Sequence, residues 1–185
     1  DETNRRTDIY GGDAVARTRF IADIVKAIRA RTSPDFPILL RFSQWKLQNY
    51  AARPWPTPQV LEQFLRPLID AGVDIFDCSQ RRFWTPEFEG SDLNLAGWTR
   101  KLSGLPAITV GSVSLDLDMT ASLYENQPTK VTRLDELYER LARDEFDLVA
   151  VARAVLADAH WASKVQRNAF EELIPYTNEA LNSLV

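Results

Sequence analysis

Residues 146–158 read FDLVAVARAVLAD: an apolar, β-branched run, an arginine directly behind it, and then the start of a helical pattern. Such a run suits a buried strand. Three more of the same kind precede it, PILLRFS at 37–43, VDIFDCS at 73–79 and AITVGSV at 107–113. None alternates polar and apolar residues over its full length, which favours parallel strands covered on both faces.

Helical patterns lie between these runs. From Ala14 to Arg31, the residues Phe20, Ile21, Ile24, Val25 and Ile28 share one face, and Asp13 is placed to cap the start. In TPQVLEQFLRPLIDAG, 57–72, Thr57 is the expected N-cap and Pro58 fits the first helical position. Leu61, Phe64, Leu65, Leu68 and Ile69 then form a stripe, Gly72 ends it, and Pro67 inside it predicts a kink. A further helix is expected from Thr132, with Asp135 at the capping-box position and Leu134, Leu137, Tyr138 and Leu141 on one side.

Strand and helix alternating at this spacing imply right-handed crossovers and a parallel sheet, so the fold class is α/β. Periodicity alone does not choose between an open sheet and part of an eight-stranded barrel. No linker and no repeat beyond the βα alternation divides the chain, and residues 1–185 are expected to form one domain or part of one.

The composition is that of an ordinary globular protein, 45% hydrophobic and 26% charged. The net charge is -4 and the 22 basic residues form no block, which argues against a nucleic-acid partner. No apolar run approaches the roughly 18 residues of a membrane span, and DETNRRTD is unlike a signal sequence. The single cysteine, Cys78, forms no internal disulfide, so the cytoplasm is the default location. The chain starts at Asp1 and its only methionine is Met119, so a piece of something longer is expected.

In parallel α/β folds ligands gather at the carboxyl ends of strands. Those ends carry Arg41 in LRFSQWK; Arg81, Arg82, Phe83 and Trp84 in CSQRRFW; Gly111 and Ser112 in VGSVSLD; and Arg153 in VARAV. A glycine turn with adjacent amides, beside an always-charged fork of donors on the neighbouring strand, suits a phosphate dianion. An arginine in such a place also pairs with a nearby carboxylate, and a strand-end glycine also serves only a turn. Cys78 is read as a small core residue and His160, in DAHWASK, as a surface or helix-start residue. One histidine and one cysteine leave no zinc site of the usual kind and no nucleophilic dyad or triad. Rossmann and P-loop glycine motifs do not occur.

TNRRTDIYGGDAVARTRFIADIVKAIR (3–29), LLRFS (39–43), RRFWTPEFEGSDLNLAGWTRKL (81–102), ITVGSVSL (108–115) and FDLVAVARAVLADAHWASKV (146–165) together resemble the carboxyl-terminal half of the old yellow enzyme family of NADH:flavin oxidoreductases. The resemblance implies the last four βα units of a TIM (β/α)8 barrel that holds FMN, takes hydride from NADH or NADPH, and reduces activated C=C bonds of small molecules. It implies that Arg41 lies against the pyrimidine edge of the flavin, that Gly111 and Ser112 donate amides to the FMN phosphate, and that Arg153 binds that phosphate. Ala152 stands where glycine is usual; it keeps the N–H but restricts the backbone. Trp84 and Phe83 resemble aromatics near the substrate pocket.

The resemblance implies that the family's substrate-anchoring histidine, paired with a histidine or asparagine, and its proton-donating tyrosine precede the segment matched here. No catalytic residue is therefore assigned, and the isolated chain is expected to be inactive; Tyr10 and Tyr50 have no motif that places them as replacements. The competing expectation is a half-barrel structural or phosphate-binding module. Its two bare strand edges and one apolar sheet face would need cover, from a homodimer through the first and last strands or from a missing N-terminal half-barrel.

Overall fold

The computed structural model describes residues 3–46, 49 and 51–182. Its elements run α1 (Ala14–Arg29), β1 (Leu39–Ser43), α2 (Pro58–Ala71), β2 (Ile75–Ser79), α3 (Leu95–Ser103), β3 (Ala107–Val110), α4 (Asp135–Ala142), β4 (Leu148–Ala150), α5 (Arg153–Ala157) and α6 (Trp161–Gln166). One π-helical turn, Thr120–Tyr124, lies between β3 and α4. The strands form one parallel sheet in the order β1-β2-β3-β4.

Local chemistry explains most boundaries. The Asp13 carboxylate accepts from the Ala16 amide at 2.8 Å to open α1. Thr57 Oγ1 accepts from Val60 N at 3.4 Å to open α2, which runs on through Pro67 and stops at Gly72, φ 102°. Helix α3, which the apolar pattern did not single out, is capped by Asn94 and closed by Gly104. Helix α4 starts at Asp135 and not at Thr132. The Thr132 amide is spent on Ser114 O and Asp135 pairs with Arg133, so no capping box forms.

One sheet face carries Phe42, Phe76 and Cys78 into a core shared with Leu61, Leu65 and Leu68 of α2 and Leu95 and Ala96 of α3. Its opposite face carries Leu39, Arg41, Asp77, Ser79, Val110 and Ala150, with no helical layer over it; Leu39 and Leu148 are about half exposed, at 53% and 50%. The continuous apolar runs therefore have helices on one side only, the arrangement of a barrel wall, whose other face points inward.

Only Val25 of the expected α1 stripe is buried; Phe20, Ile21, Ile24 and Ile28 are exposed. This helix sits at the margin of the layer and packs chiefly on α2, through the side bearing Thr18, Ala22 and Val25.

The amino ends of the strands are pinned by a device used twice. Asp74, just before β2, accepts from Ile38 N at 2.7 Å and pairs with Arg29 of α1 at 2.5 Å. Asp147, just before β4, accepts from Ala107 N at 2.9 Å and from Arg100 Nε of α3 at 3.0 Å. Each aspartate ties a helix C-terminal end to two strands, which secures the end of the sheet opposite the strand ends that carry Arg41, Gly111 and Arg153.

Truncating Leu65→Ala, fully buried in α2, is expected to cost about 2–5 kcal/mol in urea denaturation. Ile24→Ala, 46% exposed, is expected to cost less than about 1 kcal/mol.

Candidate functional site

Register brings the strand ends together. Val110 of β3 lies opposite Ala150 of β4, so Gly111–Ser112 and Ala152–Arg153 leave the sheet side by side. Arg41, Gly111, Ser112, Ala152 and Arg153 all line one cavity of about 300 Å³ at this end. Its polar rim is completed by Ser79 and Arg81, and its far wall is apolar, with Leu115, Met119, Leu123, Leu156 and Tyr176.

Gly111 has φ 130°, and a β-carbon there would meet Gln80 O at 2.8 Å and Arg82 N at 2.9 Å. The close approach that requires glycine is thus made by the chain's own 80–82 backbone, and Gly111 O accepts from Phe83 N at 3.0 Å. Ser112 follows with φ 52°, and its hydroxyl lies within reach of Arg81 O at 3.1 Å and Leu117 O at 3.0 Å. Ala152 has φ -122° and ψ -81°, so its φ is negative but the pair lies outside the main helical and extended regions.

Arg153 is half-buried. Its Nη2 donates to Leu117 O at 2.9 Å and Ser112 Oγ at 3.3 Å, its Nη1 to Asp118 O at 3.2 Å and to the Ser122 hydroxyl, and its guanidinium stands 5.8 Å from the centre of the Tyr176 ring. Burial pulls its pKa down from the usual value, against the opposing pull of Tyr176 and Asp118. Arginine nonetheless remains charged.

Asp118 is the buried charge of the site, 3% exposed. Its Oδ2 meets Arg81 Nη2 at 2.9 Å and Arg82 Nη2 at 3.1 Å, and its Oδ1 accepts from Thr120 N at 3.0 Å and Ala121 N at 3.2 Å. Burial would raise this carboxyl, but the Ala121 amide and the two guanidiniums hold it below the ordinary range. Across the inner face, Arg41 Nη1 lies 3.6 Å from Asp77 Oδ2, its register partner on β2, and Arg41 Nη2 lies 3.4 Å from Ser79 Oγ.

The aromatics read as pocket residues do not line this cavity. Phe83 is buried in the main core, edge-on to Trp84 at 5.0 Å, because its backbone is tied to Gly111 O and its carbonyl to Asn94. Trp45 provides the indole at the cavity wall instead. Cys78 is fully buried and its thiol is pushed up to about 12 by desolvation, an inert core residue. His160 stands at the start of α6. Tyr50 lies outside the described residues; Tyr10 bonds Asp23 on α1 and does not line the cavity. Among the described residues no group of His, Cys, Asp and Glu is placed to hold a metal ion, and no helix is long and apolar enough to cross a membrane.

Sequence reasoning passed over Asp118, Ser122 and Tyr176. Asp118 and Ser122 are 35 and 31 residues from Arg153, in a loop without regular periodicity, and nothing local marks them.

Residues 1–172 match the NADH:flavin oxidoreductase / NADH oxidase family. The chain is 29% identical over 180 residues to an NADH oxidase of Thermoanaerobacter brockii, covering 92% of this chain and 24% of that protein. It is 26% identical over 173 residues to a bilirubin reductase of Clostridium symbiosum, covering 87% and 41%. Among solved structures, the old yellow enzyme homologue from Zymomonas mobilis superposes with a TM-score of 0.68 at 16% identity, covering 100% of this chain and 46% of that one. Morphinone reductase in complex with tetrahydroNAD superposes with a TM-score of 0.67 at 19% identity, covering 96% and 41%. The chain spans less than half the length of each of these proteins.

Gly111→Ala is expected to destabilise on the order of 3 kcal/mol in denaturant titration, because strain and the 80–82 backbone both oppose a β-carbon. Asp118, with its native pKa depressed, contributes stability that is present above its unfolded value of about 3.9 and lost as pH falls through the native value. The wild type should therefore lose stability on acidification more steeply than Asp118→Asn, as followed by thermal melts between about pH 6 and pH 3.

Proposed function

The chain belongs to the NADH:flavin oxidoreductase / NADH oxidase family, and on that premise we propose that its strand ends form the phosphate and flavin-edge part of an FMN site in an NAD(P)H-dependent ene-reductase. The supporting observation is convergence: Arg41, Gly111, Ser112, Ala152 and Arg153, spread over 113 positions of sequence, line one cavity. At about 300 Å³ it is at the small end of ligand sites, suited to an anionic ester tail and one edge of a larger group.

FMN, when bound, carries electrons from the nicotinamide to an activated C=C bond of a small molecule. The chain's residues have the supporting tasks. Arg153 and the Gly111–Ser112 turn attract and orient the phosphate. Arg41, on the inner sheet face, places positive charge where the reduced ring carries negative charge, and Asp77 beside it fixes its direction. The apolar wall of Met119, Leu123 and Leu156 keeps water from the rest of the ligand.

Four strands leave an inner face and two edges to be covered, and the exposed row Phe20, Ile21, Ile24 and Ile28 of α1 lies at one margin of the helical layer. The whole catalytic unit on this proposal is this half-barrel joined to a complementary set of βα units, or to a second copy of itself.

Titration by flavin fluorescence quenching should show FMN binding tighter than riboflavin, and Arg153→Gln should weaken FMN about tenfold or more while leaving riboflavin unchanged. Equal affinity for the two flavins would overturn the phosphate assignment. Bleaching of added FMN by NADPH followed by recovery with an enone would overturn the expectation that the isolated chain is inactive.

A further inference from the structure

The fork of Arg153 is already full. A guanidinium offers four Nη hydrogens, and here four oxygens face the two Nη atoms: Leu117 O, Asp118 O, Ser112 Oγ and Ser122 Oγ. All four are neutral, so the donors are occupied while the charge is not cancelled. Arg81 and Arg82 are in the opposite condition, their charges met by one carboxylate, that of Asp118. A single short stretch, residues 117–122, therefore engages every arginine at the carboxyl ends of β2 and β4.

We propose that Asp118 and the turn it heads determine which anions this site accepts: they occupy the arginine donors, and an incoming phosphate ester must displace them. The proposal rests on the phosphate assignment made above and adds to it the residue that sets selectivity. Arg81, Arg82 and Arg153 bring three positive charges to the one carboxylate of Asp118. Nearby, Arg41 lies beside Asp77. A phosphate monoester carries about -1.5 to -2 at neutral pH and matches that excess, whereas a monoanion gains too little to replace the chain's own oxygens.

The stretch is built to yield. The π-helical turn at Thr120–Tyr124 interrupts regular bonding just beyond Asp118. The far side of the loop is held independently, with Asn178 Nδ2 donating to Leu123 O at 3.1 Å and Tyr176 N to Thr129 Oγ1 at 2.9 Å, so residues 117–122 can move while the loop stays attached.

The test compares the full chain with Asp118→Asn and Ser122→Ala by fluorescence titration with FMN and riboflavin, together with hydrogen exchange of residues 115–125. Both variants should bind FMN about three- to tenfold more tightly with riboflavin unchanged, and FMN should accelerate exchange in that segment of the wild type. Inorganic phosphate should displace FMN where the same concentration of nitrate does not. Weaker FMN binding in Ser122→Ala, slower exchange on FMN addition, or equal competition by nitrate would each overturn the proposal. Ser122→Ala keeps every charge, and it carries the test if Asp118→Asn fails to fold. Loss of any preference for FMN over riboflavin in all three proteins would instead overturn the phosphate assignment on which the proposal stands.

Discussion

The parallel pairing of β3 with β4 is the constraint from which the site follows. Ile108, Thr109 and Val110 lie opposite Leu148, Val149 and Ala150, and that register sets the Gly111 turn beside the Ala152–Arg153 step. A slip of β4 by one residue would turn Ala150 to the helix-covered face and carry the guanidinium away from Ser112. The register is itself held from the other end, where Asp147 bonds the amide of Ala107 and the guanidinium of Arg100. Stability and the proposed ligand chemistry thus occupy opposite ends of the same short strands, as they do in barrels generally.

Charge at the carboxyl end is divided unevenly. Asp118 is almost fully buried yet remains ionised, because two guanidiniums and two backbone amides meet its oxygens. A carboxylate so placed repays its desolvation only while all of those partners are present. Arg153 is compensated differently, by carbonyls and hydroxyls that orient it without neutralising it. The site therefore combines a buried ion-pair network with an unspent positive charge, a combination that favours an anion over a neutral ligand.

Much of this organisation was legible in the sequence because it follows from short-range rules. The four apolar runs became the four strands, the Thr57–Pro58 start and Gly72 stop framed α2, and the five residues assigned to the cofactor share one cavity. What escaped was set by tertiary partners. The α1 stripe looked buried because periodicity reports which residues share a face and not whether anything covers that face. Thr132 looked like a cap, but its amide was claimed by Ser114. Gly111 was read as part of an anion-binding turn, and what crowds its α-carbon is the backbone of residues 80–82. Phe83 entered the core, with Trp84 packed against it, because Asn94 and Gly111 tie the Phe83 backbone inward. Asp118 had no local signal, since its partners lie in another loop.

The central claim is that the Gly111–Ser112 turn and the Arg153 guanidinium act together on one anion. Proton–nitrogen correlation spectra recorded while inorganic phosphate is added to the labelled chain test it most directly. The Gly111 and Ser112 amides and the Arg153 Nε resonance should shift together with one dissociation constant. Phosphate-induced shifts confined to other residues, or separate constants for the turn and the guanidinium, would contradict it.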